Sequence, residues 1–157
     1  MKIVKKIAVL LLVIFIGAQF FRPDKNKGDS TAVIAFFDDT NPPKDVKLIL
    51  ENTCLDCHSD YTYYPWYSHI TPVNYWMADH ITHGKTHFNM SRWKSYSEAK
   101  KDEKLDELIK MVEAKKMPLT SYTWLHKDAD LSQAQIDAVV SWANNVRLKY
   151  IFLEAPL

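Results

Sequence analysis

Two cysteines, the only ones in this 157-residue chain, stand three positions apart, with a histidine directly after the second: Cys54-Leu55-Asp56-Cys57-His58. Thiols about one helical turn apart can each add across one vinyl group of a porphyrin, and the adjacent imidazole is then aimed at the metal. The spacing is that of covalent c-type haem attachment, with His58 as the proximal iron ligand through a neutral ring nitrogen. Three other chemistries use a Cys-x-x-Cys pair. A thioredoxin-type redox pair belongs between a strand and a helix, and no βαβ pattern is visible. A zinc site needs further cysteines or paired histidines, which the distant His80 and His83 supply only loosely. A structural disulfide leaves the histidine to chance. With six histidines in 157 residues, that chance is about one in 25.

The remaining chain has to deliver this motif and build around it. The length suits one domain with additions. Hydrophobic residues make up 47% and charged residues 25%, with a formal net charge of +1. That balance gives no sign of nucleic-acid binding or of a strongly acidic partner. Three glycines and apolar residues at helical spacing favour an all-α fold. Lys2, Lys5 and Lys6 precede an apolar run from Ile7 to Phe21, broken only by Gly17 and Gln19. A basic start before an apolar core directs export, which covalent haem attachment also requires. The run is shorter than the roughly 20 residues that span a bilayer comfortably. No good small-x-small cleavage site follows it, so an uncleaved inner-membrane anchor is favoured over a removed signal peptide. The lysines place the body on the outer, periplasmic side.

Residues 1–21 are therefore expected to be the signal-anchor, 22–43 a linker and 44–150 the haem-binding domain. Within the linker, Val33 to Phe37 is a short apolar patch open to several uses: a strand, a docked arm or the juxtamembrane edge. A first body helix near Lys44-Asp45, apolar through Val46, Leu48, Ile49 and Leu50, leads straight into Cys54. Thr71-Pro72 suits the start of another helix, for which Gly84 is a natural stop. Ser91 caps a short turn, and Ser97 caps a helix with Leu105, Leu108, Ile109 and Val112 on one face. Lys100 to Lys104 read as its solvated side. Ser132 and Gln135 form a capping box for a last helix with Ile136, Val139, Val140 and Ala143 on one face. Trp66, Tyr67, Tyr75, Trp76 and Trp93 are candidate walls of a haem pocket. His80, His83 and His87 fall on roughly one helical face, as an exposed stripe or a cluster at the haem edge.

The order of leading helix, Cys-x-x-Cys-His, middle helix, Met-Pro loop and closing amphipathic helix resembles the class I cytochromes c. More closely, Cys54-x-x-Cys57-His58-Ser59, Tyr64-Pro65-Trp66-Tyr67, Pro72, His80, Gly84 and Asn89-Met90-Ser91-Arg92-Trp93 are similar to small haem-binding domain proteins of Bacteroidetes-type bacteria. Lys116-Met117-Pro118, Tyr122, His126, Leu131-Ser132 and Trp142 carry the likeness on, so that it spans about Lys44 to Asn144. The resemblance implies a cytochrome c-like helical domain around haem c bound through Cys54 and Cys57. In class I cytochromes c a proline carbonyl orients the proximal histidine, a role that falls to Pro72 or Pro65. The thioether ligand of those proteins corresponds to Met117, with His80 as the alternative sixth ligand and an open sixth position as a further one. Methionine–histidine ligation raises the reduction potential and suits electron transfer with redox partner proteins. An open iron suits a peroxidase-like enzyme or a gas or redox sensor. Arg92 and Arg147 are the only arginines of the body, and neither stands beside a candidate distal histidine in the sequence.

Overall fold

The computed structural model describes residues 2–154. Its eight α-helices run α1 (Lys2–Ala18), α2 (Ile34–Thr40), α3 (Lys44–Thr53), α4 (Leu55–His58), α5 (Val73–His87), α6 (Glu98–Glu113), α7 (Thr120–Thr123) and α8 (Gln133–Glu154), with short 3-10 turns between several of them. The only strand-like pairing among the described residues is one isolated antiparallel bridge, Lys27 with Tyr61. The all-α expectation matches this architecture.

Local rules explain most boundaries. Asn41 ends α2 in the left-handed region (φ 40°), and its amide donates to Phe37 O. Pro42-Pro43 then forbids further helix, and Pro43 precedes the first residue of α3. The side chain of Ser97 accepts from Lys100 N to start α6, and Ser132 and Gln135 cap α8 reciprocally. The short turn at Met90–Ser95 is capped by Asn89, which accepts from Ser91 N, rather than by Ser91.

The core lies between α6 and α8, closed by α2, α3 and the Met90–Ser95 turn. Leu105 and Ile109 meet Val139, Ala143 and Val146, while Arg147 bridges Asp102 and Asp106 (2.7 and 2.6 Å) along the same seam. Phe36 is completely buried at the centre, edge-on to Trp93 (ring centroids 4.9 Å apart). Lys101 and Lys104 depart from the solvated face expected of them. Lys104 is 7% exposed beside Glu107, and Lys101 reaches Asp39.

Residues 22–43 are not a linker. Val33 and Phe36 enter the core, and Asp39 accepts hydrogen bonds from Trp93 Nε1 and Tyr150 Oη, both 2.8 Å. Further upstream the arm is laced to the loop that follows His58. Gly28 N donates to Asp60 O (2.8 Å), Thr62 N to Asn26 O (3.0 Å), and Asn26 Nδ2 to Ser59 O (2.9 Å). The apolar patch is thus a docked, helical arm. Of α1, no residue is buried, and among the described residues no helix is long and apolar enough to cross a membrane.

Candidate functional site

Helix α3 delivers the cysteines. It ends at Cys54, and the next turn restarts with the amides of Cys57 and His58 both donating to Cys54 O (3.2 and 3.0 Å). Both thiols are free and half-buried. Burial pushes the Cys54 thiol up to about 12 and the Cys57 thiol to about 11, the latter helped by the neighbouring Asp56 carboxylate. A redox-active Cys-x-x-Cys pair depends on a lowered thiol pKa, the opposite of this environment. No group of three or more metal-ligating side chains gathers among the described residues, which removes support for the zinc reading.

His58 is oriented by the backbone of a different element. Its Nδ1 lies 2.9 Å from Phe88 O, just past the end of α5. A carbonyl only accepts, so Nδ1 carries the proton and Nε2 keeps a free lone pair. Burial lowers the imidazole pKa, against the opposing pull of the Phe88 and Gly84 carbonyls, and favours the neutral ring that a metal ligand needs. The expectation that Pro72 or Pro65 supplies this acceptor is corrected here. Pro72 O accepts from Tyr75 N and Trp76 N at the start of α5, and Pro65 O accepts from Ser68. Both prolines already serve local turns.

Gly84 likewise has another role than the one expected. Helix α5 runs through it to His87, and a Cβ at this position would stand 2.6 Å from Cys57 O. The missing side chain lets α5 press against the attachment turn, which in turn brings Phe88 O to His58.

Beside Cys57 opens a mainly apolar cleft. Its walls are Trp76, Met77, His80 and Ile81 of α5, Pro65 and Tyr67 of the preceding loop, and Leu119, Tyr122, Leu125 and His126 around α7. A larger cavity of about 820 Å³ lies on the other side of Ile81, but it is lined by polar and charged groups such as Lys85, Arg92 and Lys100 and includes neither cysteine. The smaller cleft, about 50 Å³, takes in Cys57 but neither Cys54 nor His58. Its apolar walls suit a porphyrin edge, and the donor set beside it fits haem: two thiols one helical turn apart and a neutral imidazole with a free Nε2.

The other candidate residues divide. Tyr67, Trp76 and His80 line the cleft. Trp66 is 76% exposed, packed edge-on against Tyr67, and is not among the lining residues. Met117, half-buried, precedes Leu119 by two residues and joins Pro118 through a cis peptide bond. Trp93 belongs to the core and Tyr75 to the surface, so neither forms a wall. His80 and His83 each bond back to a carbonyl one helical turn earlier, and His83 and His87 stand in the open as a stripe.

A polar strut along the cleft was not legible beforehand. Tyr122 Oη donates to Asp56 Oδ2 (3.0 Å), the Tyr122 ring stacks on His126 (4.2 Å, 10°), and His126 Nε2 pairs with Tyr67 Oη. Burial and the Asp56 carboxylate push the Tyr122 phenol well above its ordinary range, so it stays a donor. Tyr122 and His126 had signalled only as parts of a resemblance, and Asp56 as a variable position between the cysteines.

Comparison with curated proteins and with solved structures returns no match. A family model described as the haem-binding domain matches residues 13–145, more than four-fifths of the chain and including the arm, the attachment turn and the cleft. With a neutral histidine poised beside two thiols and an apolar cleft, this chain belongs to the haem-binding domain family.

Proposed function

We propose that the protein is a membrane-held, periplasmic c-type haem protein that transfers electrons. The observation that carries the reading is the hydrogen bond from His58 Nδ1 to Phe88 O, directly after two free thiols one turn apart. It leaves Nε2 unprotonated for the iron, while Cys54 and Cys57 form the thioether links. Bound haem would supply the Fe(II)/Fe(III) couple. The chain's own residues hold the ring in place, exclude water from its edge through Tyr67, Trp76 and Leu119, and tune the iron. Met117 is proposed as the sixth ligand, on the Met-Pro loop that leads into the cleft wall. Helix α1, exposed throughout and free of charged residues over 7–18, holds the protein at the membrane, and its basic N-terminus favours an outward-facing body.

The test of attachment is extraction. Full-length protein made with haem-maturation machinery should keep its haem in acidified organic solvent, and Cys54→Ala and Cys57→Ala should each release part or all of it. Complete extraction from the unsubstituted chain would refute covalent attachment. One observation favours a second reading for the sixth ligand. His80 stands in the cleft wall with Nδ1 2.8 Å from Trp76 O, which leaves its own Nε2 free. A far-red sulfur-to-iron band in the oxidised protein decides for Met117, and its absence together with a bis-histidine spectrum decides for His80. Rapid carbon monoxide binding to the reduced protein would instead identify an open site and an enzyme or sensor.

A further inference from the structure

Helix α1 packs none of its residues into the body, yet its end is firmly fastened. Gln19 Nε2 donates to Thr71 O (3.2 Å) and Thr71 N donates back to Gln19 Oε1 (2.9 Å), a two-point clasp on the backbone just ahead of α5. Residues 26–28 are then bonded to the loop after His58, so no slack chain separates the helix from the domain. The length of α1 gives this clasp a consequence. The uncharged part of α1, residues 7–18, rises about 18 Å, well short of the roughly 30 Å hydrocarbon core, and α1 is not long and apolar enough to cross it. A helix too short to span leaves its ends, and whatever is fixed to them, at the interface.

The surface around the clasp has the chemistry of an interface. Phe20 (85% exposed), Phe21 and Tyr75 are exposed on either side of it, and exposed Trp66 begins the turn that runs into Thr71. Arg22 follows Phe21 directly and Lys25 comes three residues later, beyond Pro23 and Asp24, two cations available to lipid phosphates. Rings with a polar edge, here Tyr75 and Trp66, favour the headgroup layer over water or hydrocarbon, and the exposed Phe20 and Phe21 add apolar area beside basic residues.

We propose that this face is seated in the headgroup layer of the bilayer, so that the haem cleft is held at the membrane surface instead of swinging on a tether. The proposal rests on the membrane reading of α1. It is tested with the haem-loaded full chain in vesicles of phosphatidylethanolamine and phosphatidylglycerol, carrying a nitroxide at Phe20→Cys, Tyr75→Cys or, as a distant control, Leu48→Cys. The labels at 20 and 75 should lose collisions with a water-soluble nickel chelate and keep contact with oxygen, while the label at 48 behaves as in water. A label at 75 as open to the chelate as the one at 48 overturns the seating. Adding Gln19→Ala should return the label at 75 toward water, and no change there overturns the role of the clasp. An alkaline carbonate wash reads the anchor separately. Protein retained in the membrane with an aqueous label at 75 sinks only the seating, whereas protein released by the wash sinks both.

Discussion

Gly84→Ala sets two opposing effects against each other at the point where α5 meets the attachment turn. Glycine inside a helix is disfavoured, so alanine at an unhindered site would stabilise α5 by about 1 kcal/mol. The site is not unhindered. The new Cβ would lie 2.6 Å from Cys57 O and 3.1 Å from Cys57 Cβ. Reaching ordinary contact requires helix and turn to part by about 0.8 Å, and overpacking of this kind costs about 1–3 kcal/mol. Because the nearest atom is a backbone carbonyl, no side-chain rotation relieves it, and the upper half of that range applies. The net loss is about 1.5 kcal/mol, or roughly 3–6 °C in Tm for a chain of this size. Thermal unfolding of the haem-loaded chain, with exposed Thr82→Ala in the same helix as the control, measures it. The same movement carries Phe88 O away from His58, so the iron's ligand-field bands should shift as well. A Gly84→Ala protein as stable as wild type, or more so, would refute the close-approach argument and restore glycine as an ordinary helix residue.

Other substitutions probe separate links. Tyr122→Phe removes the hydrogen bond to Asp56 and should cost about 1.5 kcal/mol, the low end for a bond to a charged group because the site is only half-buried. Chemical denaturation checks the cost, and a loss of zero would mean that the strut carries no strain-bearing contact. Met117→Ala should abolish the far-red band and speed carbon monoxide binding, with His80→Ala leaving both unchanged; a protein without the band whose carbon monoxide binding is sped by His80→Ala and not by Met117→Ala moves the sixth ligand to His80. Burial pulls the Asp39 pKa upward, but hydrogen bonds from Lys149, Trp93, Tyr150 and Lys101 outweigh it and hold the carboxyl well below its usual range. A depressed folded-state pKa contributes stability that is complete above the ordinary carboxylate value and is lost as pH falls through the folded one. Stability should therefore decline from about pH 4 downward. Asp39→Asn should narrow the difference between urea midpoints at pH 7 and pH 3, and an unchanged difference would show that other carboxylates carry the acid limb.

What was readable beforehand follows the range of the interactions involved. Helices α3, α6 and α8 are legible in apolar spacing and in caps at Ser97 and Ser132, and the start of α5 in Thr71-Pro72, all signals within a few residues. The attachment turn was readable because its covalent chemistry demands a fixed spacing. The docking of the arm has no local signal, because Phe36 gains its burial from Trp93, Phe88 and Trp142, residues 50 or more positions away, and nothing in Asn41-Pro42-Pro43 tells a hinge from a tight corner. Gly84 was misread for a related reason. At the end of a helical pattern a glycine signals a stop, but here its value lies in a contact with Cys57, which only the packed structure reveals. The Phe88 carbonyl was beyond any sequence signal, since every residue carries one.

These long-range contacts share one effect, which is to fix the proposed haem ligands through the protein rather than through the porphyrin. His58 is held by Phe88 O, Cys57 is braced by Gly84, and Asp56 between the cysteines is tied to Tyr122 and to Tyr63 N. Lys85 joins the same frame, bonding Asp60 Oδ1 (2.8 Å) and Asn26 Oδ1 (2.6 Å), so α5, the arm and the loop after His58 meet on one ammonium group. Ligands locked by packing and by hydrogen bonds beyond the metal keep their geometry when the charge on the metal changes. That property favours electron transfer over a reaction that must open a coordination site. It also separates the two readings by experiment: Lys85→Met, which loosens the frame without touching a ligand, should slow electron exchange and leave the resting spectrum in place. A faster carbon monoxide reaction in that variant, with electron exchange unchanged, would mean that the frame serves to guard an open iron.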